Sequence, residues 1–502
     1  MTNSITSFLQ ELSLSNQWLV LLPEISLALL SLVLLGLDLF GKASRQAVLD
    51  EFKFRISLMG QLAILALLII GRESFNQSGS FLFGGLVEQS DQTFLMRCFF
   101  ILGSIFVTVL AARFLSKANL PKAEYYHLCL LACAGFMLLV QSAQFVLFFV
   151  SLELVTIAFY ILVAFNRTNA LSLEAGLKYL TLGALSSAFL LFGIVLLYGI
   201  SGNPNLEGYT SLGFQFSQLQ EFIHLNADNT IVRVGALMVI AGICFKLGAF
   251  PFQIWIPDVY QGAPTPTTAF LATSSKAAGV FVLIQLLQGP FLALSEFLIP
   301  ILSIICTITI LYGNIAASGQ SNVKRLLGLS GISHAGYLLM GIIASFLIPE
   351  SFVAVFFYLC LYLLSSFLVF GLLVQFSQVE ENQLEIGAFR GLYSKNAFLG
   401  TMGIIGLGSL AGIPPLGGFI GKLLLLNVAF QAELYWLIGV ALMGIVISIY
   451  YYFGWIRAML TEQESEEQAI AISFEDRIIY GFIIALIVLL GLIPGMLIGI
   501  IQ

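Results

Sequence analysis

Five ionisable side chains lie within stretches of this sequence that are otherwise apolar enough to cross a lipid bilayer. They are Lys178, Lys246, Lys276, Lys422 and Glu153. A charge at membrane depth costs about 2.5 to 3.5 kcal/mol on insertion scales, so each of these residues opposes insertion of the segment that carries it. Such residues usually face a protein interior or a wet cavity and mark a pathway for ions. The five charges therefore favour ion or proton movement.

The lysines differ in how easily each could reach water. The segment that carries Lys276 begins after Pro266, so Lys276 lies about ten residues, or about 15 Å, from its start. Lys246 and Lys422 each lie beside a proline break, and a long side chain near a helix end can extend to the interface instead. Because a lysine recurs beside both breaks, a functional role is favoured for both.

Glu153 lies in the middle of the apolar run 148–154. A lone carboxylate at that depth should either be protonated or find a cation. A fixed structural ion pair with a lysine is one interpretation. The other is a breakable pair, in which a nearby carboxylate keeps the lysine protonated and its withdrawal lets the proton leave.

Glu174 and Lys178 stand four residues apart at the start of an apolar segment. That spacing places both side chains on one face of a helix and is most often a solvated ion pair. A role in a proton conduit remains an equal alternative for this pair.

His334 is the one histidine within an apolar segment, and helical spacing places it on a face with Ser330 and Tyr337. A buried structural histidine is the usual case, but these hydroxyls, with Ser333 and the run 273–275, are suited to holding water. The pattern favours a proton relay at His334. His127 and His224 are predicted to be surface residues.

The composition describes a polytopic membrane protein. The chain has 502 residues, of which 59% are hydrophobic and 10% are charged, and its mean hydropathy is +0.99. A soluble domain of this size must cover its surface with more polar groups. The net charge of −6 reflects short acidic loops such as residues 462–467 and does not indicate nucleic-acid binding.

The cysteines do not suggest a metal or redox site. Cys129 and Cys133 have helical spacing, but no further pair of cysteine or histidine residues completes a metal set. All six cysteines are expected to be small buried hydrophobes. With no phosphate-binding or dinucleotide motif in the sequence, no redox centre is expected in this chain.

About fourteen segments are long and apolar enough to span a membrane. The first, residues 18–40, is too long for a cleavable signal and lacks a preceding basic region. The segments are centred near residues 29, 64, 103, 134, 155, 188, 240, 277, 305, 335, 363, 413, 446 and 488. The predicted fold class is therefore an all-α polytopic membrane protein.

Basic residues predict the orientation of these segments, because cytoplasmic loops hold an excess of lysine and arginine. The opposite set of loops holds only Arg72, Arg97 and Arg233. Both termini are therefore predicted to be periplasmic, in a multi-pass protein of the cell inner membrane. The basic set comprises Lys42, Arg45, Lys53, Arg55, Arg113, Lys117, Lys122, Arg167, Lys324, Arg325, Arg390, Lys395, Arg457 and Arg477.

Two segments carry helix breakers in their middle. Segment 7 has Lys246 followed by Pro251, and segment 12 has Pro414 and Pro415 before Lys422. Paired interruptions in two halves of a transporter indicate an inverted repeat with its site at mid-membrane. The predicted divisions are helices 1–3 in residues 1–124, a five-helix repeat in 125–289, a second in 290–460 and helix 14 in 461–502.

With these features the chain resembles the antiporter-like subunits of bacterial NADH:quinone oxidoreductase (respiratory complex I), and among them the subunit N branch. The motifs that carry the resemblance are residues 245–247, 255–266, 270–276, 322–327, 332–337 and 411–422. One departure is Gln253, where the family often has histidine.

The resemblance implies a proton-translocating membrane-arm subunit of a translocase, while other subunits oxidise NADH and reduce quinone. It pairs Glu153 with Lys246, makes Lys276 the central lysine and assigns Lys422 to the half-channel toward the periplasm. It implies FMN, Fe–S clusters, NADH and quinone for the whole complex and no cofactor in this chain. Expected partners are membrane lipids and other membrane-arm subunits, above all the small subunit K and antiporter-like subunit M.

Two alternatives remain open from the sequence. One is a subunit of a multi-subunit cation/proton antiporter without redox coupling. The other is a structural membrane spacer whose ionisable groups are locked in ion pairs. The motif at 255–266 and Lys276 favour complex I over the first.

Overall fold

A computed structural model describes residues 17–40, 46–72, 80–211, 213–376, 384–461 and 472–501 of the chain. Lys42, Arg45 and the acidic loop 462–467, all used in the sequence predictions, lie outside these residues. Within them the chain is a bundle of long helices with one two-stranded antiparallel hairpin.

The helices follow the order of the predicted segments. They are α1 (Leu22–Leu39), α2 (Gln46–Ile70), α3 (Asp91–Ala118), α4 (Lys122–Val140), α5 (Phe145–Val163), α6 (Ala170–Ser201), α7 (Phe216–Leu225), α8 (Thr230–Leu247), α9 (Ile256–Gly262), α10 (Thr265–Phe270), α11 (Lys276–Gln288), α12 (Ser295–Ser318), α13 (Val323–Ala344), α14 (Ser351–Phe376), α15 (Leu392–Lys395), α16 (Ala397–Ala411), α17 (Gly417–Gln431), α18 (Tyr435–Leu460), α19 (Phe474–Leu492) and α20 (Gly495–Ile501). Strands β1 (Ser80–Leu82) and β2 (Val87–Gln89) form the hairpin.

Twelve helices in the described residues are long and apolar enough to cross a membrane, and the bent pair α19 and α20 would make a thirteenth. The shorter apolar helices α16 and α17, of 15 residues each, occupy the place of predicted segment 12. The all-α polytopic fold is thus confirmed. The division into two inverted five-helix repeats stays a prediction.

Segments 7 and 12 are broken as predicted, and glycine ends the first helix of each. Gly248 follows α8 at φ +72° and Gly412 follows α16 at φ +83°, a backbone conformation that glycine adopts without strain. The amide of Ala249 then bonds to the carbonyl of Cys244, and the amide of Ile413 bonds to that of Gly408. These bonds satisfy carbonyls that the broken helix would otherwise leave unpaired inside the membrane.

Two irregularities were not predicted. Segment 14 is not one helix: α19 and α20 meet at 88° beside Pro494, which has no amide to continue the helix. In segment 8, a π-helical turn, Leu271–Ser275, connects α10 to α11 directly before Lys276. Such turns inside helices occur frequently at functional sites.

The loops gather on two opposite faces of the bundle. On the face that carries the hairpin, Val87 pairs with Ser142 and Gln144 pairs with Gln215. We call this the hairpin face. On the other, which we call the basic face, Asn322 pairs with Glu385. Each of these bridges joins loops that are separated by two helices, as expected when consecutive helices cross in opposite directions.

Arg97 and Lys324, predicted to be loop residues, are instead buried in helices. The Arg97 side chain is 0% exposed and forms an ion pair of 2.8 Å with Glu24 of α1. Lys324 is 1% exposed and donates to the carbonyl of Ala263, 2.5 Å away. Lys53, also predicted to lie in a loop, is 2% exposed on α2 and pairs with Asp38. The sequence prediction was wrong at these three residues because each stands within about two turns of a helix end, where segment boundaries are least certain.

The remaining histidine and cysteine predictions have mixed outcomes. His224 is exposed as predicted. His127 is half-buried, and its Nδ1 lies 2.6 Å from the hydroxyl of Ser31, so this ring joins α4 to α1. Four cysteines are buried while Cys98 and Cys360 are half-buried, which agrees with their expected role as small hydrophobes.

Candidate functional site

Lys246 lies in the last turn of α8, directly before the break in segment 7. Its Nζ donates to the hydroxyl of Thr156 on α5, at 2.7 Å. The ammonium also lies 5.9 Å from the centre of the Tyr179 ring and 5.6 Å from that of Phe245, within the range of cation–π attraction. The side chains in direct contact with this ammonium are therefore neutral.

Glu153 does not form the direct ion pair with Lys246 that the resemblance implies. Its Oε1 accepts from the hydroxyl of Ser187 on α6, at 2.5 Å. Glu153 and Thr156 are three residues apart on α5, so they lie on one face of that helix. The structure thus places Glu153 near Lys246, with the Thr156 hydroxyl as the direct partner.

A narrow cavity of about 20 Å³ adjoins Lys246, which is room for about one water molecule. Its wall includes Thr156 of α5, Ser275 before α11, and Gly279 on α11. The cavity thus reaches from Lys246 to Ser275, the residue that precedes Lys276.

Lys276 is buried where α11 begins, after the π-helical turn. Its Nζ donates to the carbonyl of Gly331 on α13, at 2.5 Å, and lies 3.4 Å from the hydroxyl of Tyr362 on α14. The expectation that this lysine stays in the protein interior is confirmed by its 2% exposure. Lys276 therefore connects α11 to helices of the second half.

His334 lies among tyrosines. Its Nδ1 is 2.5 Å from the hydroxyl of Tyr358 on α14, and its Nε2 is 3.2 Å from that of Tyr452 on α18. The ring centre is 4.9 Å from that of Tyr362, the same residue that Lys276 reaches. Ser330, predicted to share its face, bonds to the backbone of its own helix instead. Tyrosine hydroxyls rather than serines thus flank the imidazole.

Lys422 lies on α17, after the break in segment 12, and its side chain reaches back across that break. Its Nζ donates to the carbonyl of Ala411, the last residue of α16, at 2.8 Å. The ammonium is 5.2 Å from the ring centre of Tyr337, which lies one turn from His334 on α13. A small cavity of about 10 Å³ lies between His334, Ser409 and Gly418.

Glu174 and Lys178 form a separate cluster at the basic face. Lys178 is 40% exposed and binds both Glu174, at 2.7 Å, and Asp258 of α9, at 2.6 Å. Asp258 also binds Arg325 of α13, at 2.7 Å. Burial raises the pKa of the Asp258 carboxyl, but hydrogen bonds from Lys178 and Arg325 outweigh it and hold that pKa below its usual value. The cluster ties α6, α9 and α13 together by their charges.

The family comparisons agree with this architecture. A family model described as NADH:quinone oxidoreductase/Mrp antiporter, TM, matches residues 142–448. NADH-quinone oxidoreductase subunit N 1 of Opitutus terrae is 51% identical over 447 residues, which cover 89% of this chain and 88% of that protein. The chain belongs to this family. The resemblance predicted from the sequence motifs is confirmed.

Other relatives of the family extend the comparison. NAD(P)H-quinone oxidoreductase subunit 2 of a Synechococcus strain is 36% identical over 88% of this chain and 81% of its own length. A chain of respiratory complex I from Thermus thermophilus, solved with bound aureothin, matches with a TM-score of 0.78 at 28% identity, over 95% of this chain and 99% of that one. A chain of the Mrp complex from Dietzia matches at 0.77, over 96% of both chains; at 19% identity it shares the fold alone.

The hydroxyl groups that contact the predicted ionisable residues were the part of the site that the sequence did not identify. Thr156, Ser187, Tyr358, Tyr362 and Tyr452 supply the contacts of the predicted ionisable residues. Tyr358 and Tyr362 stand four residues apart in a strongly apolar segment, which is a signal for a shared polar face. That spacing could have identified both as partners of a buried charge.

Proposed function

We propose that this chain is a proton-translocating membrane-arm subunit of an NADH:quinone oxidoreductase. One observation carries the proposal: Lys246, Lys276 and Lys422 each donate to a neutral oxygen, and none has a carboxylate partner in the described part of the chain. A lysine held by a carboxylate is fixed in its charged form, whereas one held by a hydroxyl or a carbonyl can lose its proton. A spacer with locked ion pairs does not fit these contacts.

The proton is proposed to enter at Lys246. The Thr156 hydroxyl holds the Lys246 ammonium, and Glu153, one turn from Thr156 on α5, is proposed to favour its protonated form. Movement of α5 relative to α8 would change the distance between Glu153 and Lys246. The proton would then pass through water in the adjoining cavity toward Lys276.

From Lys276 the proposed path continues through aromatic hydroxyls. Tyr362 contacts both Lys276 and the ring of His334, and Tyr358 and Tyr452 occupy the two ring nitrogens. Because an imidazole accepts a proton at one nitrogen and releases one at the other, His334 is the relay in this proposal.

Lys422 is proposed as the exit residue. In its protonated form it caps the carbonyl of Ala411 at the break in segment 12. Once neutral, it is a weaker donor and frees that carbonyl for water. Release of the proton is thereby linked to the wetting of the break.

The proposed setting is the cell inner membrane, with the basic face in the cytoplasm and both termini periplasmic. The described basic face carries Arg113, Lys122, Arg325, Arg390 and Arg457, which agrees with the rule that cytoplasmic loops are basic. The Opitutus relative supports assembly with other membrane-arm subunits, with subunits K and M as the proposed neighbours. In this proposal NADH, FMN, Fe–S clusters and quinone belong to the whole complex, and none of them is assigned to this chain.

The test uses the assembled complex with Lys246→Ala or Glu153→Ala in this chain. We expect quinone reduction coupled to pumping to fall about tenfold or more, because a blocked proton step stalls electron flow. Glu153→Asp, which keeps a carboxylate, should retain more activity. Wild-type pumping by an assembled Lys246→Ala complex would refute the proposal, and co-purification without quinone-linked subunits would favour a cation/proton antiporter.

A further inference from the structure

The cavity beside Lys246 extends toward the hairpin face. Its walls include Leu139, in the last turn of α4, and both Ala278 and Val282 on α11. Residues 278, 282 and 285 repeat at helical spacing, so Gln285 lies on the same side of α11, one turn beyond the cavity. On α11, the next polar side chain from the cavity toward the hairpin face is therefore Gln285.

One turn beyond the cavity, Gln285 joins α11 to the turn after α4 at the hairpin face. Its Nε2 donates to the backbone carbonyl of Ser142, in the turn after α4, at 3.0 Å. Its Oε1 is buried and has no hydrogen-bond partner among the described residues, and the same holds for the hydroxyl of Ser151, one turn from Val155 in the cavity wall. Buried polar atoms of this kind are normally satisfied by water. Two of them, each within one helical turn of a residue in the cavity wall, mark places for water.

Glu88 lies on the hairpin itself, beyond the contact between Gln285 and Ser142. It is the middle residue of β2, and Val87 and Gln89 on either side of it are buried on the other face of the strand. The backbone amide of half-buried Glu88 donates to the carbonyl of Gln141, at 2.8 Å, and Gln141 directly precedes Ser142, which Gln285 binds. Burial raises the pKa of Glu88, and the hydrogen bond from Gln285 lowers it by less. A carboxyl group of this kind takes up a proton more readily than a solvated one.

We propose that Gln285 is the gate of a second water path, which joins the Lys246 cavity to the hairpin face and ends at Glu88. The inference rests on the proposed function and orientation. A proton would leave the Lys246 ammonium through water, protonate the Glu88 carboxylate and then pass to bulk solvent, leaving a neutral amine behind. The first half of the chain would thus have an outlet of its own, separate from Lys422.

The test is thiol labelling of Val282→Cys in the assembled complex, in membrane vesicles of both orientations. The probe is a membrane-impermeant cationic methanethiosulfonate, and the parent complex gives the background from native cysteines. Adding Gln285→Ala should raise the labelling rate from the hairpin face about tenfold, since the hydrogen bond from Gln285 to Ser142 is lost. The matched control is Val280→Cys, which is buried on α11 but outside the cavity wall, and its rate should not change.

Glu88→Gln supplies the second measurement. It removes the negative charge at the outer end, so the ratio of cationic to anionic reagent rates at Val282→Cys should fall about threefold. If Val282→Cys does not assemble, Leu139→Cys, which also lines the cavity, takes its place. An unchanged rate with Gln285→Ala, or labelling from the basic face alone, would overturn the proposal. Because labelling needs no turnover, this result is independent of whether Lys246→Ala blocks pumping.

Discussion

The two helix breaks use the same backbone device but hold their lysines in different ways. At the first break Lys246 stands before Gly248 and binds a side chain on another helix, the Thr156 hydroxyl. At the second, Lys422 stands after Gly412 and binds the carbonyl of Ala411 across the break itself. The first lysine thus senses the packing of α5 against α8. The contact of the second depends on the local structure of its own break.

This difference assigns unlike tasks to the two breaks. A side-chain partner can be displaced when a helix moves, and Glu153, on the helix that carries Thr156, moves with it. A backbone carbonyl cannot leave, so Lys422 can only release it by moving or by losing its proton. The first break is therefore suited to receive a signal from a neighbouring helix, and the second to couple protonation to local opening.

The largest effect is expected for Lys276→Met, which tests whether the two breaks work in series. Lys276 lies between them, and its Nζ contacts Gly331 and Tyr362 of the second half. Loss of the ammonium should lower coupled pumping about tenfold or more in the assembled complex. Lys53→Met, which removes another buried lysine paired with Asp38 away from the path, is the matched control. Normal pumping by the Lys276 variant would mean that each break works alone.

The second prediction distinguishes the breaks by their glycines. Gly412→Ala would place a Cβ 2.9 Å from Cδ of Lys422, at a positive φ, so it disturbs the lysine as well as the backbone. The Cβ of Gly248→Ala would instead contact the side chain of Ile256. Both should destabilise the complex by about 1 kcal/mol or more, measured by thermal unfolding.

Only Gly412→Ala should also lower pumping in the complexes that remain folded, by an amount close to that of Lys422→Met. Gly439→Ala, where a Cβ meets no atom within 4 Å, is the control for glycine replacement. An equal loss of pumping in both break variants would remove the distinction between the two lysines.

A smaller effect is expected for Thr156→Val. It removes the hydroxyl that holds Lys246 and keeps the shape of the side chain. One hydrogen bond contributes about 1 kcal/mol, so pumping should fall about fivefold. Thr156→Ser should restore most of it. If Thr156→Ser behaves as Thr156→Val does, packing rather than the hydroxyl positions Lys246.

The sequence was sufficient to predict much of the fold. Long apolar runs predict spanning helices, and prolines predicted the breaks in segments 7 and 12, although the helices end at Gly248 and Gly412. The break at Pro494 carries the same proline signal and was missed. No charged residue stands beside it, so nothing marked that proline as more than a helix end.

The site was predictable only in part. Lys246, Lys276 and Lys422 are conspicuous because charge is rare in apolar segments. Their hydroxyl partners are less conspicuous, because serine, threonine and tyrosine in an apolar segment can lie either at the lipid interface or in the protein interior. The packing of distant helices decides that Glu153 meets Ser187 and not Lys246. The contact that Lys246 does make, with Thr156, joins residues that are 90 apart in the sequence, and local spacing does not encode it.

The smallest effect is expected at the cluster of Glu174, Lys178, Asp258 and Arg325. Its Lys178 has carboxylate partners and is 40% exposed, unlike the lysines at the breaks. An exposed ion pair contributes little, so Lys178→Ala should leave pumping within about twofold of wild type.

The pH dependence of stability gives a second measurement on this cluster. The pKa of Asp258 is lower in the folded chain than its usual value of about 3.9. Its stabilising contribution is therefore complete above that value and is lost only as pH falls through the folded pKa. Asp258→Asn should thus lower the unfolding temperature by the same amount at pH 5 and at pH 8. A large loss of pumping in Lys178→Ala would instead place this cluster on the proton path. Protons would then enter through a third region, and the two breaks alone would not account for their entry.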